Sequence, residues 1–320
     1  MTQPSQFIIS RTDSIGDVVL TLPLAGILKK HFPGVPITFL GKSYTRAVIE
    51  ACPFVDVFME EAAFLKTKKA TWKKGAVILH VFPKKEIAFH ARKLGIAWRI
   101  GTKSRWYHWL SCNKLLRLKR KKSGLHEAQL NAQLLAPLGI QANYSLPELA
   151  AFLDLSRLQP LPVQFQNLLQ PGKRHIILHP KSKGSALEWG LENFAELANE
   201  LDAEQDQIFI SGTAGEKELL QPFFERVKAP VTDITGQMTL PEFMAFINSC
   251  DVLVANSTGP LHIAAALGKK AVGLYPAIRP MHAGRWAPLG EKAVAISASD
   301  SDTGMASIDV KKVLQVLEPS

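Results

Sequence analysis

Cysteine is scarce. Only Cys52, Cys112 and Cys250 occur in 320 residues. They are too far apart for a disulfide framework or a cysteine-based metal spacing. They read as small apolar residues of a protein kept in a reducing compartment. Long apolar runs are missing too. None reaches the ~18 residues that cross a bilayer, which excludes a helical membrane protein. The stretch from Met1 to Asp13 has no basic start followed by an apolar block. No signal peptide is therefore expected, and the expected location is cytoplasmic.

Acid is short in one half only. Residues 1–160 hold 24 Lys+Arg against 10 Asp+Glu, a surplus of +14, whereas residues 161–320 hold 14 against 18, a deficit of −4. The halves therefore face different partners, and the first attracts anions.

What is present is an alternation of short apolar runs and helical stripes. Strands are expected near 7–10, 37–40, 55–59 and 76–81, and again near 175–178, 207–211, 231–234, 251–255 and 271–275. Helices are expected between them, at 88–94, 126–138, 191–201, 216–226, 240–249 and 260–267, with a terminal helix at 310–317. Alternation of this kind predicts parallel sheets with right-handed crossovers. Prolines cluster between 137 and 171 without helical periodicity, which places a linker near 155–172. The expected fold is α/β, two Rossmann-like doubly wound domains over 1–160 and 161–320 facing across a cleft. The terminal helix is left free to return to the first domain. Ligands of such a fold bind at the carboxyl ends of the strands.

Four loops carry candidate chemistry. Arg11-Thr12-Asp13-Ser14-Ile15-Gly16-Asp17 follows the first strand and opens a helix. Asp17 suits a general base that takes a proton from a hydroxyl, and equally an acid that complements a helix dipole. Asp13 competes for the role. Asn256-Ser257-Thr258-Gly259-Pro260-Leu261-His262 follows the strand 251–255. Its small residues leave helix N–H groups open to a diphosphate, with Ser257, Thr258, Gly259 and His262 as donor-binding candidates. His179 to Ser185 brings Lys181 and Lys183 to neutralise a departing diphosphate. Arg279 to Trp286 is a fourth loop, able to close over a phosphate or base.

Lys114 to Lys122 has six basic residues in nine, just after Trp106, Tyr107, His108, Trp109 and Leu110. Aromatics beside cations suit an anionic membrane surface. The same field binds nucleic acid, but no nucleic-acid module is recognisable, so no nucleic-acid partner is expected.

Taken together, Ser10 to Pro23, His126-Glu127, His179 to Trp189 and Ser257 to Gly268 resemble glycosyltransferase family 9, the ADP-heptose:lipopolysaccharide heptosyltransferases. The resemblance covers nearly the whole chain in order. It implies two Rossmann-like domains of GT-B type, acceptor domain first and donor domain second. It also implies inverting transfer from a nucleotide sugar, by default ADP-heptose, with no cofactor and no metal. The family's loop acid falls on Asp17, and its Thr-Gly-x-x-His pattern on Thr258, Gly259 and His262. The acceptor implied is an anionic lipid-linked saccharide, with Arg11, Lys84, Lys85 and Arg120 as its candidate cations, at the inner face of the inner membrane. Two positions depart from the family: Ser257 stands where an Asp is frequent, and Leu187 where a Lys is frequent. The rival readings are a nucleotide-sugar 2-epimerase and a non-catalytic lipid- or polyanion-binding protein with a degenerate donor site.

Overall fold

A computed structural model describes residues 3–118, 120, 123–184, 186–299 and 304–318. Lys119, Lys121 and Lys122 of the basic run, and Ser185, lie outside the described residues. The chain divides into two compact units, Met1–Arg157 and Leu158–Ser320.

The first unit holds six parallel strands: β1 (Gln6–Ser10), β2 (Ile37–Gly41), β3 (Val57–Glu60), β4 (Ala76–His80), β5 (Trp98–Thr102) and β6 (Lys114–Leu116). Their spatial order is β3-β2-β1-β4-β5-β6. Phe7, Ile8 and Ile9 are fully buried, as expected of a central strand covered on both faces. Ile8, Leu40 and Ile78 pack under Ile87 and Ala91 of the helix Lys85–Lys93.

The second unit repeats the arrangement with β7 (Arg174–His179), β8 (Asp206–Ile210), β9 (Val231–Asp233), β10 (Val252–Asn256), β11 (Lys270–Tyr275) and β12 (Ala293–Ser297). Their order is β12-β11-β10-β7-β8-β9. Counted within each unit, both sheets run 3-2-1-4-5-6, the doubly wound order that reverses direction between the first and fourth strands. The reversal leaves a crevice at the carboxyl ends of β1 and β4, and another at those of β7 and β10.

The terminal helix Val310–Leu317 belongs to the second unit. Val310, Val313 and Leu317 are buried in one cluster with Phe194, Leu197 and Trp189, and Trp189 Nε1 donates to Ile308 O at 2.8 Å. The helix's apolar stripe is covered by this core. Within the basic run, Lys114–Leu116 is the edge strand β6, paired with Ile100–Thr102. Among the described residues, no helix is long and apolar enough to cross a membrane.

Candidate functional site

In the first unit, the loop after β1 is organised by a buried guanidinium. Arg11 is 3% exposed and reaches three carboxylates. Its Nε bonds Asp13 at 2.7 Å, its Nη1 bonds Glu127 at 3.2 Å, and its Nη2 bonds Asp17. The other Asp17 oxygen accepts from Ser14 Oγ. The short helix Ile15–Val19 fixes the Asp17 backbone, whose carbonyl accepts from Thr21 Oγ1 at 2.8 Å.

Glu127 arrives from the other end of the unit. It sits in the first turn of the helix Glu127–Ala132. The cap residue His126 accepts from Ala128 N at 3.2 Å, and Gln129 Oε1 accepts from His126 N at 3.1 Å. Glu127 also pairs with Arg120, whose Nη2 reaches Asn131 at 3.0 Å. Asn131 in turn donates to Leu20 O and Thr21 Oγ1, each at 3.2 Å. The network thus runs Arg120, Glu127, Arg11, Asp17, and it joins the β1 loop to residues more than a hundred positions away.

Burial pushes the Asp13 carboxyl above its usual value, although Arg11 pulls the other way. Tyr44 Oη donates to the Asp13 carbonyl at 2.6 Å. Ser10 Oγ, Thr12 Oγ1 and both ring nitrogens of His80 are buried with no hydrogen-bond partner among the described residues. Ser10 and His80 face one another across β1 and β4. Complete burial lowers the His80 pKa to about 3, so the ring is neutral. Unsatisfied polar atoms are rare in protein interiors, and these border the crevice beside Asp17.

The structure separates the four candidate acceptor cations. Arg11 pairs with Asp13, Asp17 and Glu127, and Arg120 pairs with Glu127. Lys84 pairs with Glu61 at 2.7 Å, and Lys42 joins the same carboxylate at 3.0 Å. Burial works to raise the Glu61 pKa, but the bonds from the two lysines outweigh it and hold it low. Lys85 lies exposed at the start of the helix Lys85–Lys93, its Nζ 5.3 Å from the centre of the Trp106 ring.

In the second unit, the loops after β7 and β10 meet at the crevice. Asn256, at the end of β10, is fully buried. It accepts from Trp189 N at 2.9 Å and donates to Pro180 O at 2.7 Å. One amide therefore ties the two ends of the lysine loop to the strand that leads into Ser257, Thr258 and Gly259. The helix Gly259–Ala266 begins with Pro260 in its first turn and Thr258 at its cap, with no side-chain cap bond. Its first N–H groups are therefore left for a ligand. Thr258 Oγ1 is buried and without a partner among the described residues. His262 is 3% exposed, one turn into the same helix.

Lys181 pairs with Glu188, whose other oxygen accepts from Ser182 N at 2.9 Å. Lys183 adopts φ = 50° and Gly184 φ = 75°. A left-handed lysine costs about 1–3 kcal/mol and clusters at functional sites. Here it lines a cavity of about 340 Å³ with Lys181, Gly184, Glu188, Gly215, Glu216 and Leu219. That volume suits a small ligand.

The sequence reading missed Glu188 and Glu216 in this wall. Glu216 had a local signal: Thr213-x-x-Glu216 is a capping box, with Glu216 Oε2 accepting from Thr213 N at 2.7 Å. The fourth loop is held by its own bonds. Trp286 O accepts from Tyr275 Oη at 2.7 Å, and Trp286 Nε1 donates to Pro280 O at 2.9 Å.

Two doubly wound sheets of the same strand order, each with candidate chemistry on a loop at its switch point, are the two-domain α/β architecture of GT-B type. The chain belongs to glycosyltransferase family 9 (heptosyltransferase), whose family model matches residues 86–312. It is 25% identical to lipooligosaccharide heptosyltransferase 2 of Campylobacter jejuni serotype O:2, over 82% of this chain and 77% of the relative. Two solved structures share the fold. A glycosyl transferase family 9 protein from Veillonella parvula aligns with a TM-score of 0.79 at 19% identity, covering 98% of this chain and 95% of that one. E. coli ADP-heptose lps heptosyltransferase II aligns at 0.74 and 20%, covering 98% and 97%.

Proposed function

We propose that this glycosyltransferase moves a heptose from ADP-heptose onto an acidic lipopolysaccharide core acceptor, with inversion and without a metal ion. Asp17 is the base. A carboxylate oxygen of Asp17 takes the proton of the acceptor hydroxyl as the hydroxyl's own oxygen attacks the anomeric carbon. The bond from the anomeric carbon to the diphosphate breaks on the opposite face. The leaving group's charge is received by the N–H groups at Thr258–Gly259 and by Lys183, and the Thr258 hydroxyl is free to donate. The donor assignment rests on the heptosyltransferases to which the chain is similar. The observation that carries the mechanism is Asp17 itself, at the switch point of the first sheet and held by Arg11 and Ser14.

Asp17→Asn keeps the size and most hydrogen bonds of the side chain but removes the base. Turnover should fall by about 10²–10⁴, while ADP affinity measured by calorimetry stays within a factor of two or so. Near-normal turnover in this variant would show that another group takes the proton. Activity in excess EDTA checks the metal-independent reading, and loss of turnover restored by a divalent cation would overturn it.

A further inference from the structure

The helix Trp106–Ser111 is pinned to its unit by its inward side. Tyr107 Oη donates to Pro83 O at 3.0 Å. Buried His108 Nδ1 accepts from Thr102 N at 3.0 Å. The ring fits there because Gly101 has no side chain: a Cβ would lie 2.6 Å from His108 Nδ1. Ser111 Oγ donates to Tyr107 O at 2.7 Å, and Arg92 bonds the Leu110 carbonyl.

The outward side is the opposite. Trp106, Trp109 and Leu110 are 62%, 60% and 55% exposed, at spacings of three and four that put them on one helical face. Large apolar groups gathered this way mark interaction surfaces. Their surroundings are cationic. Lys85 lies over Trp106, Arg92 sits at the helix end, Lys103 O accepts from Trp109 Nε1 at 3.0 Å, and exposed Arg105 precedes the helix. Exposed Glu86 is the acid of this neighbourhood.

We propose that this face docks on an anionic lipid bilayer, the two indoles and Leu110 entering the headgroup layer and the four cations meeting lipid phosphates. Indole rings and leucine beside lysine and arginine are the composition that favours such an interface. A second copy of the chain fits poorly, because a two-fold contact would set each cationic patch against its twin. The placement also has a use. Tyr107 fastens this helix to the loop after β4, which borders the crevice that holds Asp17, so a docked bilayer would present its headgroups near the proposed base. That use rests on the proposed lipid-linked acceptor; the docking itself does not.

The test is sedimentation of the full chain with phosphatidylcholine vesicles, with and without phosphatidylglycerol, over a range of salt. Binding should need the anionic lipid and weaken as salt rises. Each basic residue at such a surface is worth about five-fold, so Lys103→Glu with Arg105→Glu should weaken binding at least about 25-fold. Trp106→Ser with Trp109→Ser should also weaken it, with little change in salt slope. Unchanged vesicle binding in both variants overturns the proposal. So does a dimer of the parent chain that the tryptophan variant dissolves, or binding to duplex DNA in preference to vesicles. Turnover on a delipidated, soluble acceptor should be the same in parent and variants. Its absence in all of them would count against the proposed reaction and leave the docking result standing.

Discussion

Replacing Arg11 by methionine tests how the proposed base is held. Methionine keeps an apolar stem and removes the charge. The guanidinium now serves three carboxylates, of which Glu127 is 2% and Arg11 itself 3% exposed. Glu127 keeps Arg120 and Asp17 keeps Ser14, so the loss falls hardest on Asp13, whose charged form burial already disfavours. Breaking one partner of a buried ion pair costs about 3–5 kcal/mol.

In a unit of this size, about 2–4 °C accompanies each kcal/mol, so the first unit's melting transition should drop by roughly 6–20 °C in calorimetry. The drop should shrink in acid. Burial already raises the Asp13 carboxyl and Arg11 no longer opposes it; the penalty exists only while Asp13 is ionised, so it fades as pH falls through its raised pKa. Adding Glu127→Gln should return part of the stability, because it removes one of the charges left unpaired. Turnover should fall with the loss of Asp17 positioning, and ADP affinity should not. An Arg11→Met protein that melts within about 1 °C of the parent at neutral pH, with full turnover, would refute the account of Arg11 as the hub.

Two further outcomes follow from single buried side chains. Asn256→Ala strands Trp189 N–H and Pro180 C=O, each a loss of about 1–3 kcal/mol; the lysine loop should loosen and the donor KM should rise more than kcat falls, and an unchanged KM would count against Asn256 as the tie. His80 is neutral in the fold, with its pKa lowered to about 3 from an ordinary 6.5, so it costs stability as pH drops below 6.5. At pH 5 the cost is about 2 kcal/mol, and His80→Phe should flatten the acid side of the stability profile measured by urea unfolding, whereas an unaltered profile would show that the ring is not confined as described.

Much of the fold was legible because central parallel strands are continuous apolar runs. Phe7-Ile8-Ile9 and Val252 to Ala255 announce themselves. Three strands at or near the sheet edges do not. Trp98-Arg99-Ile100-Gly101-Thr102 mixes polarity because two of its residues are half-exposed, Lys114-Leu115-Leu116 hides inside a basic run, and Ala293 to Ser297 is weakly apolar with its Ala295 and Ser297 exposed. The stretch 216–226 reads as one helix but breaks into the turns Ala214–Glu216 and Glu218–Leu220 and the helix Gln221–Phe224. Pro222 is tolerated only in a first helical turn.

The loops that hold the candidate site were recognisable from residue type and position after a strand. Their internal wiring was not. Nothing local to Arg11 points to Glu127, 116 residues on, and nothing near Asn256 points to Trp189, 67 residues back. A sequence shows the charge of Arg11 but not the three carboxylates that surround it.

The repeated strand order bears on how this enzyme can be altered. Of the four loops that carry candidate chemistry, one follows a strand of the first sheet and three follow strands of the second, and the strands beneath them are apolar scaffolding. Grafting the segments 180–189 and 256–262 together from a relative keeps the Asn256 link between them. Moving either alone would sever the Asn256 link and leave a mismatched pair.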